Sequence, residues 1–374
     1  MIAIIDAELA EGKLQRHPNL ACMKISSYYK SQEIDVTLKT DYNNLQDFEK
    51  VYISKVFTKT KTDNHILRRP NVIHGGTGFF YDKASNLPTD IEHHMPDYTL
   101  YNDYVQEQLN QGVKPSALKV FTDYSIGFLT QGCFRKCSFC VNKKYNRCTA
   151  HSPLNEFYDP SRKKIMLLDD NFLAYPKWRN LLDELKSTGK PFVFKQGVDI
   201  RLITPDFIQS INSAKYDGEL YFAFDDVNDE ALIEAKLSMF REYSRKSLRM
   251  YLLCAYDRDN VYDTNFWLKD IKNIFKRLEV LGKYKVLPYL MRYEKYESSP
   301  FHGIYKNLAT YCNVGGLYKV SSFSDFCKNQ LKNSKNKAKP CSRWRYYTEF
   351  IKNYPHFEVV FNKHNWRLHK SRLF

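Results

Sequence analysis

The stretch Gly132-Cys133-Phe134-Arg135-Lys136-Cys137-Ser138-Phe139-Cys140 carries three thiols at steps of four and then three, with an aromatic directly before the last. Three thiolates on one tight loop are soft sulfur ligands, and such ligands select an iron–sulfur cluster or zinc. Against a cluster of four irons, three ligands leave one iron open. An open position is what separates a metal site that does chemistry from one that only holds a fold. Cys148 lies close by in sequence, so a closed zinc site with Cys148 as fourth thiol is the other reading of the same residues.

The elements that must position this loop follow from the hydrophobic pattern. An apolar run over Tyr124 to Thr130 leads into the cysteines, and further runs follow at Lys164 to Leu168, Phe192 to Lys195, Leu220 to Phe224, Arg249 to Cys254 and Lys285 to Leu290. Helical patterns lie between them. Thr204-Pro205 opens one with Phe207, Ile208 and Ile211 on its apolar side, and Trp267, Ile271, Ile274, Phe275 and Leu278 mark a longer one closed by Gly282. Strands alternating with helices predict parallel β/α units. Six strands that each end in polar residues suit a barrel whose active site lies at its C-terminal rim.

Ahead of this region, Ile2 to Asp6 reads as a strand, a helix opens at Pro18, and further strands are expected at Ile34 to Leu38, Lys50 to Phe57 and Asn71 to His74. The last runs into Gly75-Gly76-Thr77-Gly78, glycines that let a loop pass close to a ligand or a neighbouring helix. This order predicts a small doubly wound sheet of Rossmann type. Residues from there to about Lys119, with His93, His94 and Pro96, read as an irregular linker.

The spacing Cys-x3-Cys-x2-Cys with an aromatic before the last cysteine resembles the signature of the radical S-adenosylmethionine enzymes. The resemblance implies that Cys133, Cys137 and Cys140 bind a [4Fe-4S] cluster and that the amino and carboxylate groups of S-adenosylmethionine chelate the open iron. Reduction by a donor such as flavodoxin or ferredoxin would then give methionine and a 5′-deoxyadenosyl radical. It implies a partial six-unit β/α barrel, and the region in front is similar to the cobalamin-binding-type domain of one branch of the family. The expected architecture is therefore α/β: a Rossmann-like domain over 1–112, a partial (β/α)6 barrel over 118–300 and a basic C-terminal extension over 301–374. The resemblance covers most of residues 1 to about 300, and only the cysteine motif in it is specific.

By position, the resemblance assigns the methionine amino group to Asp169 or Asp170, in a segment Asp169-Asp170-Asn171 that departs from the family's Gly-Gly-Glu. Asp225 or Asp226 would accept hydrogen bonds from ribose hydroxyls, Gln196 and Arg201 would contact substrate or the methionyl carboxylate, and Arg292 would contact adenosine or a carboxylate. The bland reading of all these residues is solvated charge at strand ends. Cobalamin is left open: Asp63-Asn64-His65 superficially matches an Asp-x-His metal-ligating motif, but it follows the third strand and Arg68 stands where glycine is expected. His65 reads as a surface residue. Cys254 reads as a small buried hydrophobe, and Cys312, Cys327 and Cys341 lack the close spacing of an auxiliary cluster.

With 374 residues, 43% hydrophobic and 15% aromatic, the chain has ample material for a core and no apolar run that spans a bilayer. Nine cysteines, an odd number and most of them widely scattered, argue for reduced thiols, the N-terminus reads as a strand, and a cytoplasmic location is expected. The net charge is +15, and from Lys328 to the end twelve Lys and Arg oppose two Glu. Arg343-Trp344-Arg345-Tyr346-Tyr347 and Asn365-Trp366-Arg367-Leu368-His369-Lys370 interleave that charge with rings, a pattern that suits RNA or DNA; the alternative is a helix face of Trp344, Tyr347, Phe350 and Ile351 on a core. Three functions remain: a radical enzyme acting on a nucleic acid or nucleotide-derived substrate, one acting on a small molecule or peptide, and a zinc-containing nucleic-acid-binding protein without catalysis.

Overall fold

A computed structural model describes residues 1–12, 17–329 and 341–368. The chain is α/β with parallel sheets, and it divides into two compact units: 1–196 with 215–217, and 197–214 with 218–374.

The first unit is built on β1 (Ile2–Asp6), whose five residues are all buried. A strand apolar on both faces belongs in the middle of a parallel sheet. It pairs in parallel with β2 (Val36–Lys39) and β3 (Lys50–Ser54), and β3 pairs with β4 (Val72–Gly75), giving the order β2-β1-β3-β4. Ile2 and Ile4 pack on one face with Met23, Ile25 and Tyr29 of the helix Leu20–Lys30, while Ala3 and Ile5 pack on the other with Leu45, Val51 and Ile53. That helix starts two residues beyond Pro18 because Asn19 caps it, its side chain accepting from the Cys22 amide at 3.4 Å.

One expectation for this region is corrected. The segment read as an irregular linker contains helices Asn102–Asn110 and Pro115–Thr122, with Tyr101, Tyr104, Leu118 and Phe121 buried in the same core as Ile2 and Ile4. The neighbour that the glycines after β4 approach is the backbone of Lys55. Gly76 has φ +106, a Cβ on it would lie 2.3 Å from the Lys55 carbonyl oxygen, and the Gly78 amide donates to that oxygen at 2.9 Å. His65 is exposed, as expected, and Asp63 beside it caps a single helical turn.

The first unit also holds β5 (Tyr124–Gly127), β8 (Lys164–Leu167) and β9 (Phe192–Phe194), parallel in that order. Between β5 and β8 lies a small antiparallel pair, β6 (Thr130–Gln131) with β7 (Thr149–Ala150), in the register Thr130↔Ala150. The cysteine loop is the connection between β6 and β7, so the pair closes its base.

The second unit holds β10 (Leu220–Ala223), β11 (Leu248–Cys254) and β12 (Leu287–Arg292), again parallel in that order. Along β11, Leu248, Met250, Leu252 and Cys254 are buried while the residues between them are half-buried, the period of two that a strand with one covered face requires. The helix Thr264–Lys283 is capped by Asp263, and Gly282 lies inside it; the helix does not close there. The glycine is needed because a Cβ would sit 2.2 Å from the Asn365 carbonyl oxygen.

In the C-terminal region Tyr347 and Phe350 of the helix Ser342–Asn353 are buried, Tyr347 shares a 2.7 Å hydrogen bond with Ser324, and Phe350 stacks on Phe361. These rings are core. The lysine-rich stretch, with Lys332, Lys335, Lys337 and Lys339, and the last residues, with Lys370 and Arg372, lie outside the described residues. Among the described residues no helix is long and apolar enough to cross a membrane.

Candidate functional site

Gly132 opens the cysteine loop with φ +92, where a Cβ would lie 2.5 Å from the Arg147 carbonyl oxygen. A residue with a side chain at this point would push the two arms of the loop apart. Across the loop, the Lys136 ammonium group donates to the carbonyl oxygens of Lys143, at 2.6 Å, and Tyr145. Cys133, Cys137 and Cys140 are all partly exposed, whereas Cys22, Cys148, Cys254, Cys312 and Cys327 are buried.

Several N–H groups are aimed at the sulfurs. The Cys133 sulfur accepts from the Arg135 amide at 3.4 Å and from Asn171 Nδ2 at 3.2 Å; the Cys140 sulfur accepts from the Asn142 amide at 3.3 Å. Donors placed on sulfur favour its charged form and tune the potential of a cluster bound there. Among the described residues no three His, Cys, Asp or Glu side chains converge closely enough to hold a metal ion. By donor chemistry the loop nonetheless suits a cluster: three accessible thiols, amides on two of them, and a buried Asn171 whose Oδ1 has no hydrogen-bond partner among the described residues. Burial pushes the Cys148 thiol up to about 11 and raises the Cys140 thiol also, against the pull of the Asn142 amide.

The paired acids of the first unit hold this loop. Asp169, 1% exposed, accepts from the Leu129 amide at 3.3 Å and from the Thr130 amide and hydroxyl at 2.7 and 2.6 Å. Burial pushes its carboxyl up to about 7, against the pull of those donors. Asp170 accepts from the Gly132 amide at 2.8 Å and from the Asn142 side chain, and burial raises it also. So Asp169 fixes the strand entering the loop, and Asp170 fixes both of its arms. Asn142, which the sequence reading passed over, and Asn171, which it ranked behind the two acids, touch the cysteine motif directly. Only the adjacency of Asn171 to the acid pair hinted at it. Gln196, at the end of β9, is exposed.

The second pair, in the other unit, is used in the same way. Asp225 accepts from the Leu253 amide of β11 at 3.0 Å, and Asp226 caps the turn 227–229 through the Asn228 amide at 2.9 Å. Burial raises the Asp225 carboxyl while the Leu253 amide and Arg277 oppose the rise. Arg277, only 2% exposed, donates to the carbonyl oxygens of Phe224, Asp225 and Leu253 at 2.9, 3.2 and 2.9 Å. It ties together the ends of β10 and β11. Arg201 chelates Asp199 at 2.7 and 3.3 Å and lies 3.6 Å from Asp229, and exposed Arg292 covers the Tyr296 ring at 4.4 Å.

The remaining thiols are placed as follows. Cys254 is a buried strand residue; Cys312 and Cys327 are fully buried with their thiols raised by burial, and Cys341 is partly exposed.

No family model matches the chain, and no curated protein matches it. Among solved structures, the cobalamin-dependent S-adenosylmethionine radical enzyme OxsB with aqua-cobalamin bound is similar over 91% of this chain and 63% of its own, at 12% identity and a TM-score of 0.44. The chain thus spans less than two thirds of that protein's length.

Proposed function

We propose that this chain is a radical S-adenosylmethionine enzyme in which Cys133, Cys137 and Cys140 hold a [4Fe-4S] cluster with one open iron. The observation that carries the proposal is the loop itself: three partly exposed thiols between β6 and β7, with N–H donors on the sulfurs of Cys133 and Cys140. When bound, the cluster supplies the electron that cleaves S-adenosylmethionine to methionine and a 5′-deoxyadenosyl radical.

The chain's own residues do the positioning. Asp169 and Asp170 hold the loop's entry and arms, Asn171 donates to Cys133, and Lys136 closes the loop on itself. The domain reading is a Rossmann-like region over 1–112, a partial barrel over 118–300 and a basic extension over 301–374. The substrate class is a nucleic acid or nucleotide-derived molecule, supported by the net charge of +15. No step is assigned to cobalamin. The carboxyl edge between β1 and β3, where a doubly wound sheet takes its ligand, is filled by the buried side chains of Asp6, Glu8, Asn19 and Tyr101.

The test is anaerobic reconstitution with iron and sulfide. About four irons per chain, lost on Cys133→Ala, Cys137→Ala or Cys140→Ala, with 5′-deoxyadenosine formed from S-adenosylmethionine and dithionite, is the expected result. One bound zinc and no iron overturns the reading. For the substrate class, RNA and DNA binding that falls steeply between 50 and 200 mM salt, as about 10³-fold for six phosphate contacts, is expected; binding insensitive to salt counts against it.

A further inference from the structure

From the first sheet to the cysteine loop runs a set of side-chain contacts. Beyond β4 the chain turns on Gly76 and Gly78, both held against Lys55, and then places Tyr81 at φ 50 and ψ −120. A residue with a side chain is costly there and persists only where its surroundings fix it. The Tyr81 hydroxyl donates to the Phe139 carbonyl oxygen at 2.9 Å. Phe139 stands between Cys137 and Cys140, in the turn closed by the Cys140 amide on the Cys137 carbonyl at 3.0 Å.

Just beyond, the same segment grips the loop's other arm. The Lys144 ammonium group donates to the Ala84 carbonyl oxygen at 2.9 Å and to Asn86 Oδ1 at 2.6 Å, and the Tyr145 hydroxyl reaches Asn86 Oδ1 at 3.3 Å. The two sets of contacts lie on either side of Cys140. They restrain the arm that carries Cys140, while Gly132 and Asp170 fix the loop's entry beside Cys133.

We infer that Tyr81 is a positioning residue for the cysteine loop, setting the place of Cys140 through the Phe139 carbonyl; this rests on the cluster-binding reading above. It acts through the loop's backbone. Its hydroxyl is the effective part, because the phenyl ring alone has nothing to donate.

Two variants separate the hydroxyl from the backbone. Tyr81→Phe removes the donor and keeps the strained conformation; Tyr81→Gly removes the donor and accepts positive φ at no steric cost. In reconstituted full-length protein, both are expected to release iron to a chelator faster than wild type by on the order of fivefold, the factor one net hydrogen bond carries. The electron paramagnetic resonance spectrum of the reduced cluster should broaden in both, a change that general loosening of the first sheet does not produce. Amide exchange over β1–β4 should match wild type. Release rates and spectra equal to wild type in both variants overturn the inference while leaving the cluster reading intact. A wild-type chain that takes up no iron overturns the cluster reading and this inference with it.

Discussion

Replacing Asp6 by Asn should stabilise the first unit, increasingly so as pH rises. Asp6 is 0% exposed at the end of β1, where it receives the Tyr101 hydroxyl at 2.9 Å and the Glu8 amide at 3.3 Å. Neighbouring Glu8 receives three donors, the Val56 and Phe57 amides and the Thr60 hydroxyl, each at 3.0 Å. Burial is the largest effect on Asp6 and pushes its carboxyl from 3.8 up to about 8; the Tyr101 hydroxyl pulls the other way. Folding therefore takes up a proton at any pH between those values. Stability is full below the unfolded value and falls by ~1.4 kcal/mol per pH unit until the folded value is passed. From pH 5 to pH 8 the wild type should lose about 4 kcal/mol through this one group. Asn keeps one acceptor oxygen for the Tyr101 hydroxyl or the Glu8 amide and loses the other, a cost that does not change with pH, and it does not titrate. Urea denaturation of both proteins across pH 5 to 8, with amide exchange of β1 to locate the unit, checks this. Wild-type and Asp6→Asn stabilities that run parallel across that range refute the reasoning.

Two further outcomes follow from the loop and from the second sheet. Gly132→Ala should cost about 1–2 kcal/mol from its positive φ alone and more from the contact with Arg147, so reconstituted protein should hold clearly less iron than wild type, read by iron and sulfide analysis. Arg277→Met should destabilise the second unit by about 3 kcal/mol or more, read by thermal denaturation, because three strand-end carbonyls lose their donor and the buried Asp225 loses its opposing charge; an unchanged midpoint would show that water replaces the guanidinium.

What could be read in the sequence was whatever depends on local pattern. β1, β8 and β11 are apolar runs of strand length, and a helix capped by Thr204 begins where Thr-Pro says it should. The helices Asn102–Asn110 and Pro115–Thr122 escaped because each buries only one or two residues, too few for a periodic stripe, and they are held by packing on the first sheet. Gly282 looked like a helix end because glycine's usual reason is conformational; here the reason is Asn365, 83 positions along the chain. Such a neighbour leaves no trace in a local pattern.

The acid pairs raise the question of what a local pattern can say about the site. Asp169-Asp170 and Asp225-Asp226 stand at strand ends, where a ligand's ammonium or hydroxyl groups would find acceptors. A parallel sheet also leaves backbone N–H groups without partners at that edge, and a buried N–H must be satisfied. In both sheets the first acid of the pair reaches sideways to such groups: Asp169 to Leu129 and Thr130 across from β8, Asp225 to Leu253 on β11. The second acid of each pair turns to the following or facing loop, Asp226 to its own turn and Asp170 to Gly132. A carboxylate accepting N–H from the backbone and one accepting N–H from a cofactor use the same chemistry, so residue type and spacing alone do not separate the two roles. The difference is made by what lies opposite. For Asp170 that neighbour is the residue before Cys133, which places its structural role within one residue of the proposed cluster ligands.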